Sequence, residues 1–129
     1  MHKQKITYVL LVEDSRSDAA LVQRILSDAS PHVRYDFKTA PRLVDALYLL
    51  DTHTFDVALL DLNLLDVDGV ASVSALHTAM PLMPIIVYSG TDDVNLRQQA
   101  TLCGARHYLV KGRESGYSIK FMIEQLLAA

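Results

Sequence analysis

A chain of 129 residues, 50% apolar and 21% charged, is long enough for one domain with its own core and lacks the bias of a disordered segment. Its net charge of -3, with twelve Lys and Arg scattered along the chain, supplies no basic field for DNA or RNA; the single cysteine, Cys103, excludes an internal disulfide. No run of about eighteen apolar residues occurs, so a membrane-spanning helix is excluded and a cytoplasmic chain is expected.

The opening Met1-His2-Lys3-Gln4-Lys5 leads into an apolar run too short for a signal peptide. That run, Ile6 to Val12, reads as a strand, followed by a helical stripe of Leu21, Val22, Ile25 and Leu26. A second strand is predicted over Val33 to Phe37, then a second stripe of Leu43, Ala46, Leu47 and Leu50. Phe55 to Leu60 reads as a third strand, and Val70 to Ala79, after the breaker Gly69, as the third helix. Pro84 to Tyr88 is the fourth strand. The fourth helix, Val94 to Cys103, has Thr91 and Asp92 as candidate caps and Gly104 at its C-terminal stop. His107 to Val110 and Ser118 to Leu127 complete the series, the last with Ile119, Met122, Ile123 and Leu126 on one side. The chain stops at Leu126-Leu127-Ala128-Ala129 without a polar tail, an end consistent with residues 1–129 being one domain excised from a longer chain.

Five alternating strands and helices imply an α/β class, a doubly wound five-stranded parallel sheet of flavodoxin-like (βα)5 form, because each right-handed crossover needs a helix to return the chain. The first, third and fourth runs are almost continuously apolar, as strands covered on both faces are. Ligands of such sheets sit beyond the C-terminal strand ends, where strand order reverses.

Those ends carry the chemistry. Glu13 and Asp14 follow the first strand, Asp61 the third, Ser89 the fourth and Lys111 the fifth. Three acids meeting in one pocket repel unless a cation or shared protons relieve them, and Mg2+ is the simplest relief because it takes a few carboxylates and keeps waters for phosphate to replace. A carboxylate on this edge is a competent oxygen nucleophile toward phosphorus, with Lys111 and the metal neutralising incoming charge and Ser89 adding a hydroxyl donor.

Four segments in order, Val9-Leu10-Leu11-Val12-Glu13-Asp14-Ser15, Leu59 to Gly69, Pro84 to Gly90 and Gly104 to Lys111, resemble the receiver domains of bacterial two-component response regulators. The resemblance spans nearly the whole chain. It implies that Asp61 is the phosphoacceptor, Asp14 a direct metal ligand and Glu13 an acid reaching the metal through water. By the same match the backbone carbonyl of Asn63 completes the metal shell, Ser89 is the switch hydroxyl, Lys111 pairs with the phosphoryl group, and Tyr108 is the aromatic that moves inward. The implied function is a phosphorylation switch with limited self-catalysed chemistry, charged by a histidine kinase or histidine phosphotransfer protein.

Two positions depart from the family. Leu65 and Gly112 stand where proline is usual, so the loops after the third and fifth strands are expected to be less restricted. The Lys111-Gly112-Arg113-Glu114-Ser115-Gly116 stretch looks like a subgroup attached to hybrid kinases or cyclic-di-GMP enzymes, which makes such an output domain an expected partner. A homodimer through the fourth helix, fifth strand and fifth helix is compatible with the family. Asp66 and Asp68 read as turn residues before Gly69, outside the site. A flavin carrier is disfavoured because two acids after the first strand would repel its phosphate, and a dehalogenase-type phosphatase because Asp61 is followed two residues later by Asn63. The remaining alternative is an unphosphorylated interaction module of the same fold.

Overall fold

A computed structural model describes residues 5–128; Met1 to Gln4 and Ala129, with the readings made on them, lie outside. Ten elements alternate: β1 (Lys5–Val12), α1 (Arg16–Ala29), β2 (Val33–Ala40), α2 (Leu43–Thr52), β3 (Val57–Leu60), α3 (Ala71–Ala79), β4 (Ile85–Ser89), α4 (Val94–Leu102), β5 (His107–Val110) and α5 (Gly116–Leu127). All strand pairs are parallel, in the order β2-β1-β3-β4-β5, which is the expected five-stranded doubly wound sheet. The order reverses between β1 and β3, so the residues beyond those two strands flank the switch point.

Strand residues alternate between two cores. Leu10, Val12, Ala58, Leu60, Ile85 and Val87 face α2, α3 and α4, whose Leu50, Leu76 and Ala100 pack against them. Val9, Leu11, Val57, Leu59 and Ile86 face the opposite layer, where Val22 and Leu26 of α1 meet Ile119 and Ile123 of α5. Each Val, Leu or Ile side chain among these, removed from water, contributes about 1.5–3 kcal/mol toward offsetting the entropy of ordering the chain.

Local chemistry sets the ends of the helices. Ser15 caps α1, its Oγ accepting from the Asp18 N–H at 3.3 Å, which leaves Glu13 and Asp14 free for the strand-end cluster. The cap of α4 is Asp93, which accepts from the Leu96 N–H at 3.0 Å, in place of Thr91 or Asp92. Helix α2 is capped from a distance: Asp66, in the loop after β3, accepts from the N–H groups of Leu43 at 2.9 Å and Val44 at 3.0 Å. Gly116 opens α5 where a Cβ would lie 2.3 Å from the Ile25 carbonyl oxygen, so only glycine lets α1 and α5 approach this closely.

Candidate functional site

The backbone ladder fixes the strand ends before any side chain acts. The Glu13 N–H donates to the Ala40 carbonyl at 2.9 Å, the Asp61 N–H to Val12 at 2.9 Å, and the Lys111 N–H to Ser89 at 2.8 Å. Each bond continues the sheet by one residue, so these side chains leave its C-terminal edge from anchored backbone. The register matches: Val12 lies beside Leu60, Leu60 beside Val87, and Ser89 beside Val110.

Carboxylate oxygens of Glu13, Asp14 and Asp61 lie within 4.8 Å of one another. Glu13 and Asp61 are each only 6% exposed, and Asp14 is half-buried. Oxygen donors this close, facing partial solvent, suit a hard divalent cation that retains some of its waters. The Lys111 ammonium, on a side chain 18% exposed, ties the cluster together. It donates to Asp61 Oδ2 at 3.1 Å, to Asp18 Oδ2 at 2.9 Å and, through a short contact, to Glu13 Oε1. The Asn63 N–H donates to the other oxygen of Asp61 at 3.1 Å.

Burial pushes the Glu13 carboxyl up from 4.5 to about 7; the Lys111 hydrogen bond opposes the shift and Asp61 reinforces it. For Lys111, burial works against the charge, but the hydrogen bonds to Asp18 and Glu13 and the proximity of Asp61 hold the ammonium above the ordinary lysine value. The cluster therefore holds one firm cation among several carboxylates, and burial favours protonation of Glu13.

Ser89 is fully buried at the end of β4, its Oγ accepting from the Thr91 N–H at 3.3 Å; its hydroxyl makes no hydrogen bond to the side chain of Asp61 or Lys111. Tyr108 is buried, its hydroxyl donating to the Thr91 carbonyl at 2.6 Å, with the Arg97 guanidinium 5.0 Å from its ring centre. The ring is thus buried and anchored to the same loop that Ser89 supports. Asp92 in that loop pairs with Arg97 at 3.1 Å and, by a short contact, with Arg113 beyond Gly112. No described peptide bond is cis; Gly112 instead takes φ 85°, a left-handed conformation that favours glycine.

The sequence-predicted residues Glu13, Asp14, Asp61 and Lys111 are brought together, Asn63 reaches Asp61 through its N–H, and Ser89 and Tyr108 meet at Thr91. Asp18 went unread in the sequence, because its partner Lys111 lies 93 residues away and only the closed fold brings the two together. Asp66 serves α2 rather than the turn before Gly69, while Asp68 forms an isolated bridge with Asn63 that closes that loop.

The family described as the response regulator receiver domain matches residues 9–117. The chain belongs to this family. Transcriptional regulatory protein ZraR of Salmonella typhimurium is 27% identical over 80% of the receiver chain, which spans only 22% of that relative's length. Chemotaxis response regulator CheY4 of Vibrio cholerae superposes with a TM-score of 0.79 at 26% identity, covering 95% of this chain and 100% of that one. A response regulator from Burkholderia pseudomallei, solved with a phosphorylated aspartic acid, a calcium ion and citrate, gives 0.73 at 25% identity over 95% of this chain and 65% of its own. As a receiver domain the chain is a phosphoacceptor switch of two-component signalling, phosphorylated on an aspartate. Its acidic cluster is consistent with the metal site of receiver domains. No helix among the described residues is long and apolar enough to cross a membrane.

Proposed function

We propose that Asp61 is the phosphoacceptor. The observation that carries this reading is the placement of its carboxylate: beside the strand-order reversal, clustered with Glu13 and Asp14, and 3.1 Å from the Lys111 ammonium. An Asp61 oxygen attacks the phosphorus of a phosphohistidine on the kinase or phosphotransfer protein. The O–P bond forms as the N–P bond breaks, and the imidazole leaves with its electron pair and takes up a proton. Lys111 faces the developing charge from one side, and the Ser89 hydroxyl, released from Thr91, supplies a further donor.

Asp14 and Asp61 would hold Mg2+ directly, Glu13 through water and Asn63 through its backbone carbonyl. The bound ion supplies charge neutralisation between acceptor and incoming phosphoryl group. Phosphorylation then alters the loop shared by Ser89, Thr91 and Tyr108, which changes the surface offered by α4, β5 and α5. That surface is where we place homodimer contacts or an output domain, a cyclic-di-GMP enzyme being the kind suggested by residues 111–116. We assign the chain to the cytoplasm.

The test is intact-protein mass spectrometry after incubation with acetyl phosphate and Mg2+. Wild type gains one phosphoryl group and Asp61→Asn gains none. An unmodified wild type beside a working control receiver, or equal modification of both proteins, overturns the assignment. Partner binding identical for both proteins in the presence of donor would favour the unphosphorylated module instead.

A further inference from the structure

Lys111 has three N–H groups and three carboxylate partners, and only two belong to the acidic cluster described above. The third, Asp18, reaches the ammonium from the first turn of α1 at 2.9 Å, with its side chain 45% exposed. Its helix position ordinarily has another task. An acid three residues after a capping serine usually folds back to accept the cap's own N–H. Here Glu13 Oε2 accepts the Ser15 N–H at 3.3 Å, which leaves the Asp18 carboxylate free to face Lys111.

The other two partners cannot hold Lys111 throughout the reaction. Asp61 is the group to be esterified, and Glu13 is needed on the metal side. Lys111 is followed by Gly112 at φ 85°, a residue that places no side-chain restriction on its loop. A long, flexible ammonium on such a loop loses several rotatable bonds of freedom when it is fixed over the phosphoryl group. The Asp18 contact at 2.9 Å coexists with the Asp61 contact at 3.1 Å, so holding the first does not withdraw Lys111 from the second.

We propose that Asp18 is a positioning residue that anchors the Lys111 ammonium over Asp61 while the phosphoryl group arrives. The proposal rests on the assignment of Asp61 as phosphoacceptor. It differs from the plain role of a first-turn acid, which would only favour the N-terminus of α1.

The experiment measures initial phosphorylation rates with acetyl phosphate at saturating Mg2+ for wild type, Asp18→Ala and Asp18→Glu. Asp18→Ala is expected to slow the reaction about three- to tenfold, the scale of one partly exposed charge-assisted contact. Asp18→Glu restores most of the rate, because the longer acid still reaches a mobile ammonium. Mg2+ affinity by calorimetry stays within about twofold of wild type, since Asp18 is no ligand. In a Lys111→Ala background the Asp18 change costs nothing further, a coupling that a purely helix-stabilising acid would not show. An Asp18→Ala rate equal to or faster than wild type, a parallel loss of Mg2+ affinity, or additive effects with Lys111→Ala would each overturn the proposal. A wild type that takes no phosphoryl group sinks the Asp61 assignment itself, whereas a phosphorylated wild type matched by Asp18→Ala sinks only this inference.

Discussion

Replacing Glu13 by Gln isolates the energetic strain of the acidic cluster. Folding raises the Glu13 pKa from 4.5 to about 7, so between those values the folded protein binds more protons than the unfolded chain, and stability falls as pH rises through that window. The displacement corresponds to about 3 kcal/mol on the scale of 1.36 kcal/mol per pKa unit. Glutamine matches the neutral acid in size and does not titrate. Without metal, Glu13→Gln and wild type are therefore expected to be nearly equally stable near pH ~4.5 and to differ by about 3 kcal/mol near pH ~8, with the variant more stable. With an unfolding entropy of roughly 2.1 cal/mol/K per residue, that gap is about 10 °C in melting temperature for a chain of this size. Thermal melts in EDTA at both pH values measure it. Saturating Mg2+ then narrows the gap by stabilising wild type, on the order of 2.7 kcal/mol at a hundredfold excess over Kd. Parallel pH profiles for the two proteins in EDTA would refute the claim that burial among carboxylates, only partly relieved by Lys111, governs this site.

Two further outcomes follow from packing and capping. Gly116→Ala gains up to about 1 kcal/mol of intrinsic helix propensity, but its Cβ meets a backbone carbonyl that cannot rotate away, so urea denaturation is expected to show a net loss of about 1–3 kcal/mol. Asp66→Ala lowers the melting temperature at neutral pH by uncapping α2. Desolvation works against the Asp66 charge, but the Leu43 and Val44 N–H groups outweigh it and lower its pKa. The contribution is therefore present above the ordinary aspartate range and is lost as pH falls through the lowered value, so the melting curves of variant and wild type should converge in acid.

Strands buried on both faces were the most legible part of the sequence. β3 and β4 are wholly buried runs whose short length and apolar continuity mark them as strands, and the helices between them fix their parallel direction. Edges were harder. β2 pairs only with β1 and runs on through the exposed Lys38 and Thr39 to Ala40, polar residues that no core contact marks as a strand. Phe55 reads as strand but is a buried loop residue before Val57, because an apolar run does not say whether its first member packs from a ladder or from a turn. Among the site residues, those placed by strand ends were readable. Asp18 and Asp66 were not, since their partners lie 93 and 23 residues away in the chain and only the closed fold brings them together.

Asp92 is shared by two arginines on different segments, Arg97 on α4 and Arg113 after Gly112, so the β4–α4 and β5–α5 loops are yoked at one carboxylate. Exposed ion pairs of this kind are individually weak and fade with added salt. A yoke so lightly fastened transmits displacement between the loops when intact and yields to a modest opposing force. Ionic strength would then act as a tuning knob on how rigidly the loop bearing Lys111 follows the loop beneath Tyr108.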